Sequence, residues 1–433
     1  MNFICPNISA AEGRLFFAGQ DVCSLAKEYG TPLYLMDENR IRHNCREYMS
    51  AFRSAFGENF RVLYASKANS FKQIYRIVAE EGLGVDVVSC GEILTAHSAG
   101  MDMSLSYFHS NNKTDADIAY AMEKGVGCFV ADNFEEVRAI DVEAGRRGIR
   151  QKILLRLTPG IDTHTYEAVN TGKVDSKFGS AIETGQAEEI LLATMALSNI
   201  DLAGFHCHVG SMVFAEDVFE RSAAVMLRFI GEMHRRHGFV CRELDLGGGY
   251  GVRYVETDPY LDIAAKIADV AETVKACCEE EGIDLPKILL EPGRGIVADA
   301  GMTVYTVGTV KTIPGYKNYV SIDGGMTDNP RYALYESAYT LFCANRMDEE
   351  RDFLSDVVGR CCESGDIIQP KVYMPSTIGR GDIVAVCTTG AYNYSMASNY
   401  NRLPRPPIVM LRDGESYVAV KRESLEDLLR NDL

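Results

Sequence analysis

The chain has 433 residues, a length that fits two or three ordinary domains or one large barrel with a smaller companion. Hydrophobic residues make up 46% and charged residues 24% of it, the balance of a globular enzyme. With 61 acidic against 44 basic residues the formal charge is −17, which speaks against nucleic acid or an anionic membrane surface as the main partner. No apolar run reaches the roughly 18 residues of a membrane span, and MNFICPNISA lacks the basic and apolar parts of a signal peptide. Thirteen cysteines, an odd count with no CxxC pair, point to a reduced, cytoplasmic chain.

Short β-branched runs alternate with stretches of helical spacing. The predicted strands are Arg61–Ser66, Gly84–Ser89, Ser104–His109, Gly127–Ala131, Ile153–Thr158, Leu202–His208, Glu243–Gly247 and Ile288–Glu291. Between them fall predicted helices over Phe71–Glu81, Glu92–Ala99, Asp115–Lys124, Phe134–Arg147, Gly185–Ser198, Ala215–His237 and Ile263–Glu281. Eight strands alternating with helices predict an α/β fold, a (β/α)8 barrel over residues 39–300, ahead of a doubly wound open sheet. From about residue 301 the rhythm changes to strand-like runs joined by Gly, Asp and Pro turns, MTVYTVGTVKTI, NYVSIDGG, DIVAVCTTG and PIVMLRDGESYVAVKR. These predict a β-rich sandwich or barrel over 301–433, which the first 38 residues, with the strand-like GRLFFAG at 13–19, are expected to join.

Catalytic groups of such barrels sit in the loops after the strands. Those loops read SKAN at 66–69, HSNNK at 109–113, HCHVGS at 206–211, GGGYG at 247–251 and EPGRG at 291–295. Consecutive glycines let backbone N–H groups converge on an anion, so Gly248 and Gly249, helped by Ser211 and Arg294, are candidates for a phosphate; a tight turn is the plainer alternative. Lys67 ends an apolar strand, where loss of hydration favours the neutral, nucleophilic amine; a stem lying on apolar surface with a hydrated tip is the alternative. A desolvated amine facing a phosphate cradle calls for an aldehyde that carries a phosphate, pyridoxal 5'-phosphate. Glu291 is placed to keep its pyridine nitrogen protonated, and His208 to lie on its ring. For His206 ordinary hydrogen bonding is expected. No third ligand joins His206 and His208, so no metal is expected. In the β-rich part, Cys362 beside Glu363 is a candidate proton donor, although most cysteines of a reduced chain are small buried hydrophobes.

The same segments carry a resemblance. YASKAN (64–69), DVVSCGE (86–92), HSNNK (109–113), DTHTYEAVNTGKVDSKFG (162–179), HCHVGS (206–211), LDLGGGYG (244–251), EPGR (291–294), CESGD (362–366) and GAYNYSMASNYNRLPRP (390–406) resemble, in order, the diaminopimelate decarboxylases of the alanine-racemase-like, fold type III group. The resemblance implies a homodimer with shared sites that decarboxylates a small amino acid, meso-2,6-diaminopimelate, to L-lysine and CO2. It implies that Lys67 carries the cofactor and that His208 stacks on its ring. Ser211, Gly248, Gly249, Gly293, Arg294 and Tyr392 would meet its phosphate side, and Glu291 its ring nitrogen. Cys362, supplied by the partner subunit, would donate the proton. Arg294, Arg331, Tyr335, Glu363 and Tyr392 would read the substrate, an arginine fork suiting the distal carboxylate that an ornithine-type substrate lacks. The alternatives are a decarboxylase or racemase of another amino acid on the same fold, or a non-catalytic relative that binds the cofactor. CCES in place of an apolar residue before CES, and tyrosine in GGGYG, depart from the usual pattern. Asp162–Gly179 is the predicted lid.

Overall fold

The computed structural model describes residues 3–161, 176–215 and 217–433. All eight predicted barrel runs form strands: β1 Phe60–Ala65, β2 Gly84–Val87, β3 Ser106–Phe108, β4 Cys128–Ala131, β5 Gln151–Thr158, β6 Ile200–His206, β7 Glu243–Asp245 and β8 Lys287–Leu290. Each pairs in parallel with the next, and Ile288–Leu290 of β8 pairs with Phe60–Val62 of β1, so the sheet closes as a TIM-type barrel. Inward residues Leu63, Tyr107, Cys128, Val130, Leu154, Ala203 and Leu289 pack into one buried cluster, the filled interior expected of an eight-stranded barrel. The surrounding helices begin where short polar side chains accept the first free amides. Ser89 caps Cys90–Ser98, Asn133 caps Phe134–Arg147, and Asp262 caps Ile263–Glu281; Thr114 and Asp117 form a reciprocal capping box at Asp115–Glu123.

Contacts divide the chain into two compact units: 44–251 with 261–293, which contains the barrel, and 1–43 with 252–260 and 294–433. The second unit is mostly β. Its sheet runs in the order Ile367–Met374, Phe353–Val358, Lys317–Ile322, Gly301–Ile313, Leu33–Asp37, Ile408–Arg412, Glu415–Val420. The fully buried Leu33–Asp37 is the N-terminal strand that joins it, antiparallel to Gly301–Val304 and parallel to Ile408–Leu411. Arg14–Phe17 pairs with Ile8–Ala11 and Gln20–Asp21 in a small sheet of its own, yet the segment joins the β-rich unit as expected: the Leu15 amide donates to the Ala344 carbonyl and the Met347 amide to that of Gly13, and Leu15 and Phe17 lie in its buried core. All thirteen cysteines are free, and no described helix is long and apolar enough to cross a membrane.

Candidate active site

The barrel unit gathers polar side chains where its strands end. Lys67 lies on a single 3-10 turn, Ser66–Ala68, directly after β1. Ser66 and Ala68 are buried while Lys67 is exposed, which corrects the expectation of a dehydrated amine: the turn lifts the side chain out of the apolar strand. Its charge still acts on Asp86, Glu92 and His208, so these groups share one neighbourhood. Burial first, and then the Lys67 charge, hold the His208 ring well below its ordinary pKa. The Gly248 amide donates to Nδ1 of this ring at 3.2 Å, so the neutral imidazole carries its proton on Nε2.

The triple glycine is built by close approach. A Cβ at Gly248 would lie 2.2 Å from the Glu291 carbonyl oxygen, and one at Gly249 2.1 Å from that of Gly210. Gly247 takes a φ of +68°, and its amide donates to Asp245 Oδ1 at 2.8 Å. Two of the three amides, that of Gly248 among them, therefore point to neighbouring side chains. Ser211 sits in the loop bound to it, since the Val213 amide donates to the Gly249 carbonyl and the Gly251 amide to that of Val213. Gly293 is buried, and a Cβ there would meet Ala65 and Ala68 at 2.9 to 3.0 Å.

Glu291, directly after β8, is a buried carboxylate of the site. His109 Nε2, after β3, stands 2.7 Å from its Oε1 and 3.8 Å from Asp86 Oδ1. His206 Nε2, at the end of β6, stands 3.4 Å from its Oε2, and the two rings meet edge to face at 4.8 Å. Burial pushes the Glu291 carboxyl up, yet the two histidines outweigh it and hold it well below the usual range. Asp245 is driven well up by burial and then by the Glu291 charge, opposite in direction to Glu291. Burial brings His206 down to about 3. His206 is not the ordinary hydrogen-bonded imidazole expected: neither ring nitrogen has an aligned partner among the described residues, nor have His109 Nε2, Glu291 Oε1 and Asp245 Oδ2. Ligating atoms of His109, His206, Asp245 and Glu291 lie within 4.8 Å of one another, so the fold supplies neighbours for His206 that spacing along the chain did not reveal. Asp86 and Asp245 were visible only as letters in DVVSCGE and LDLGGGYG; a carboxylate inside a barrel strand was the available signal.

The β-rich unit holds a second cluster. Arg294 is buried, its Nη1 donates to the Tyr254 hydroxyl at 2.7 Å, and its guanidinium lies 4.6 Å from the Tyr392 ring centre. Arg331, only 7% exposed, lies 5.3 Å from both the Tyr335 and Tyr392 ring centres, and its Nε has no hydrogen-bond partner among the described residues. Tyr339 packs edge to face on Tyr254. Tyr392 has a φ of +61°, and Ser110 and Met212 beside the barrel loops are also left-handed, strained backbone of the kind that gathers at functional sites. Four of the predicted site residues (Arg294, Arg331, Tyr335 and Tyr392) thus come together, while sequence reasoning missed Tyr254 and Tyr339. Cys362 and Glu363 are exposed: the Cys362 amide donates to Asn401 Oδ1, and Glu363 Oε1 accepts within its own loop from Gly365 and Ser364. Residues 162–175 of the predicted lid lie outside the described residues.

A closed barrel with a lysine turn, a glycine loop and a buried glutamate at its strand ends suits a pyridoxal-phosphate enzyme, and the family described as "Pyridoxal-dependent decarboxylase, pyridoxal binding domain" matches residues 40–298, which makes the class a decarboxylase. The diaminopimelate decarboxylase of Bacillus subtilis is 42% identical over 97% of this chain and 95% of its own, and that of Staphylococcus aureus 42% over 97% and 98%. The crystal structure of diaminopimelate decarboxylase from M. jannaschii with L-lysine superposes with a TM-score of 0.91 at 29% identity, covering 99% and 98% of the two chains. The chain belongs to the diaminopimelate decarboxylase family.

Its cofactor is pyridoxal 5'-phosphate, and the residues present fit that group. Backbone stands where a Cβ would sit at Gly248 and Gly249, so the loop tolerates no side chain there, and Glu291 Oε1 is a buried acceptor without an aligned donor, as the partner of a protonated ring nitrogen would be.

Proposed function

We propose that the protein decarboxylates meso-2,6-diaminopimelate to L-lysine and CO2, the last step of lysine biosynthesis. The observation that carries this is the enclosed Glu291 carboxylate, held anionic at the end of β8 in the neighbourhood of Lys67 and His208. A fixed anion suits a protonated ring nitrogen. When bound, the cofactor supplies the electron sink for the bond that loses CO2.

In this reading Lys67 anchors the cofactor and is the base that receives and returns protons at the substrate amine. His208, neutral and oriented by the Gly248 amide, covers the ring. Ser211, Gly248, Gly249, Gly293, Arg294 and Tyr392 hold the phosphate side. Arg331 and Arg294, stacked on tyrosines, bind substrate carboxylate with Tyr335 and Tyr392, and Glu363 meets the remote ammonium. Arg331 Nε lacks a hydrogen-bond partner among the described residues, a cost of about 1–3 kcal/mol when buried that a distal substrate carboxylate removes and an ornithine-type substrate, which has none, does not. Cys362 holds the proton that its Sγ gives to the carbon left by CO2.

The exposed positions of Cys362 and Glu363 support a homodimer in which each protomer lends these residues to its partner's site. Thirteen free thiols support a cytoplasmic setting. The test is CO2 release coupled to lysine detection across meso-diaminopimelate, ornithine, arginine and a carboxylated polyamine. Release from diaminopimelate with lysine formed in equal amount is expected; comparable release from the others, or racemisation without CO2, would refute the assignment.

A further inference from the structure

We infer that His109 and His206 are positioning residues that clamp the two oxygens of Glu291 and keep this carboxylate ionised and aimed. The inference rests on the reading of Glu291 as the partner of the cofactor ring. Nε2 of His109 approaches Oε1 at 2.7 Å, and Nε2 of His206 approaches Oε2 at 3.4 Å. The rings brace each other edge to face, so neither turns without displacing its neighbour. They come from the ends of β3 and β6 and reach the end of β8, so barrel closure itself sets the clamp.

Burial alone would protonate a carboxyl in such a place. Asp86 and Asp245 add two more acidic groups, and Arg156 and Lys67 are the cations facing the cluster. Of these carboxyls only Glu291 has an imidazole against each oxygen, and only Glu291 is held below its ordinary range. Asp245 beside it shifts the opposite way. The approaches are close but not aligned, so Glu291 keeps a lone pair for one more donor.

The experiment uses the holoenzyme and three variants: Glu291→Gln, His109→Leu and His109→Gln, whose amide nitrogen replaces Nε2. Four properties are measured on each: the absorbance of the bound cofactor, its affinity for the apoprotein, kcat and KM. Glu291→Gln should shift the absorbance band and lower kcat. His109→Leu should reproduce that shift and lower kcat about 10-fold or more, the effect of leaving a buried charge without one of its close polar neighbours, with KM and cofactor affinity within about threefold. His109→Gln should restore most of both. Should His109→Leu not fold, His206→Asn, which shortens the reach to Oε2, is read by the same criteria.

If Glu291→Gln loses band position and turnover while the histidine variants keep both, the clamp is wrong and the reading of Glu291 stands. If Glu291→Gln is indistinguishable from wild type, that reading fails and the clamp with it. Equal loss of cofactor affinity and kcat in His109→Leu would show only a structural role and overturn the proposal. So would a stoichiometric divalent ion that survives dialysis against chelator and disappears with His109, since four ligating groups lie close enough to share one.

Discussion

Replacing Gly248 by alanine isolates the steric demand of the glycine loop. Gly248 does not have a left-handed φ, so the new methyl carries no backbone penalty of its own. It would lie 2.2 Å from the Glu291 carbonyl oxygen and 3.0 Å from the carbonyl carbon, where a C···O contact needs about 3.3 Å. Roughly 1 Å of movement must be taken up by backbone on one side or the other. Overpacking of this kind costs about 1–3 kcal/mol. The movement is shared by Glu291 and by the amide that orients His208, and a displacement near 1 Å in a reacting array lowers turnover about 100-fold. Gly238→Ala is the control. Gly238 has a φ of +67° and nothing within 4 Å of a Cβ, so it should lose about 1–2 kcal/mol of stability and no cofactor affinity. Urea unfolding and absorbance titration of the apoprotein with pyridoxal phosphate separate the two. A Gly248→Ala protein that binds cofactor and turns over like Gly238→Ala would refute the close-approach argument.

Tyr254→Phe removes the hydroxyl that accepts from buried Arg294 and should raise KM about tenfold or more with little change in fold, as steady-state kinetics will show. Cys362→Ala should lower kcat by about 100-fold or more while leaving cofactor affinity unchanged. If sites are shared, mixing it with Lys67→Ala restores about a quarter of wild-type turnover through mixed dimers; no recovery would place Cys362 in its own protomer's site. His206 is neutral in the folded chain, with its pKa lowered by burial to about 3, whereas the unfolded chain takes the proton near 6.5. Stability is therefore full above pH 6.5 and falls below it by about 1.4 kcal/mol per pH unit. Urea midpoints between pH 7.5 and 5 should drop more for wild type than for His206→Gln, and parallel curves would contradict this sign.

The barrel was legible because each strand is a compact β-branched run bounded by caps and glycines, and the helices Phe134–Arg147 and Ile263–Glu281 fall on the predicted residues. The β-rich unit was less so. Phe353–Val358 carries a serine and an aspartate mid-run, and Ile367–Met374 holds Pro370, which only a strand at the end of a sheet order tolerates. Both read as loop. Lys67, the glycine loop and Glu291 were readable because each follows a strand directly. The pairing of Glu291 with His109 and His206 was not, since it joins the ends of three strands that only barrel closure brings together. The exposure of Lys67 was missed for a local reason: an apolar strand does not reveal the 3-10 turn that ends it.

The most direct measurement is borohydride trapping of the cofactor on the purified holoenzyme followed by peptide mass spectrometry. The pyridoxyl group is expected on Lys67 alone and absent from Lys67→Ala. Lys113 is the informative competitor, because it is buried yet its amine is already engaged by Glu136 and the Val130 carbonyl, each at 2.7 Å. Modification of Lys113, or of any lysine other than Lys67, would contradict the site described for this barrel.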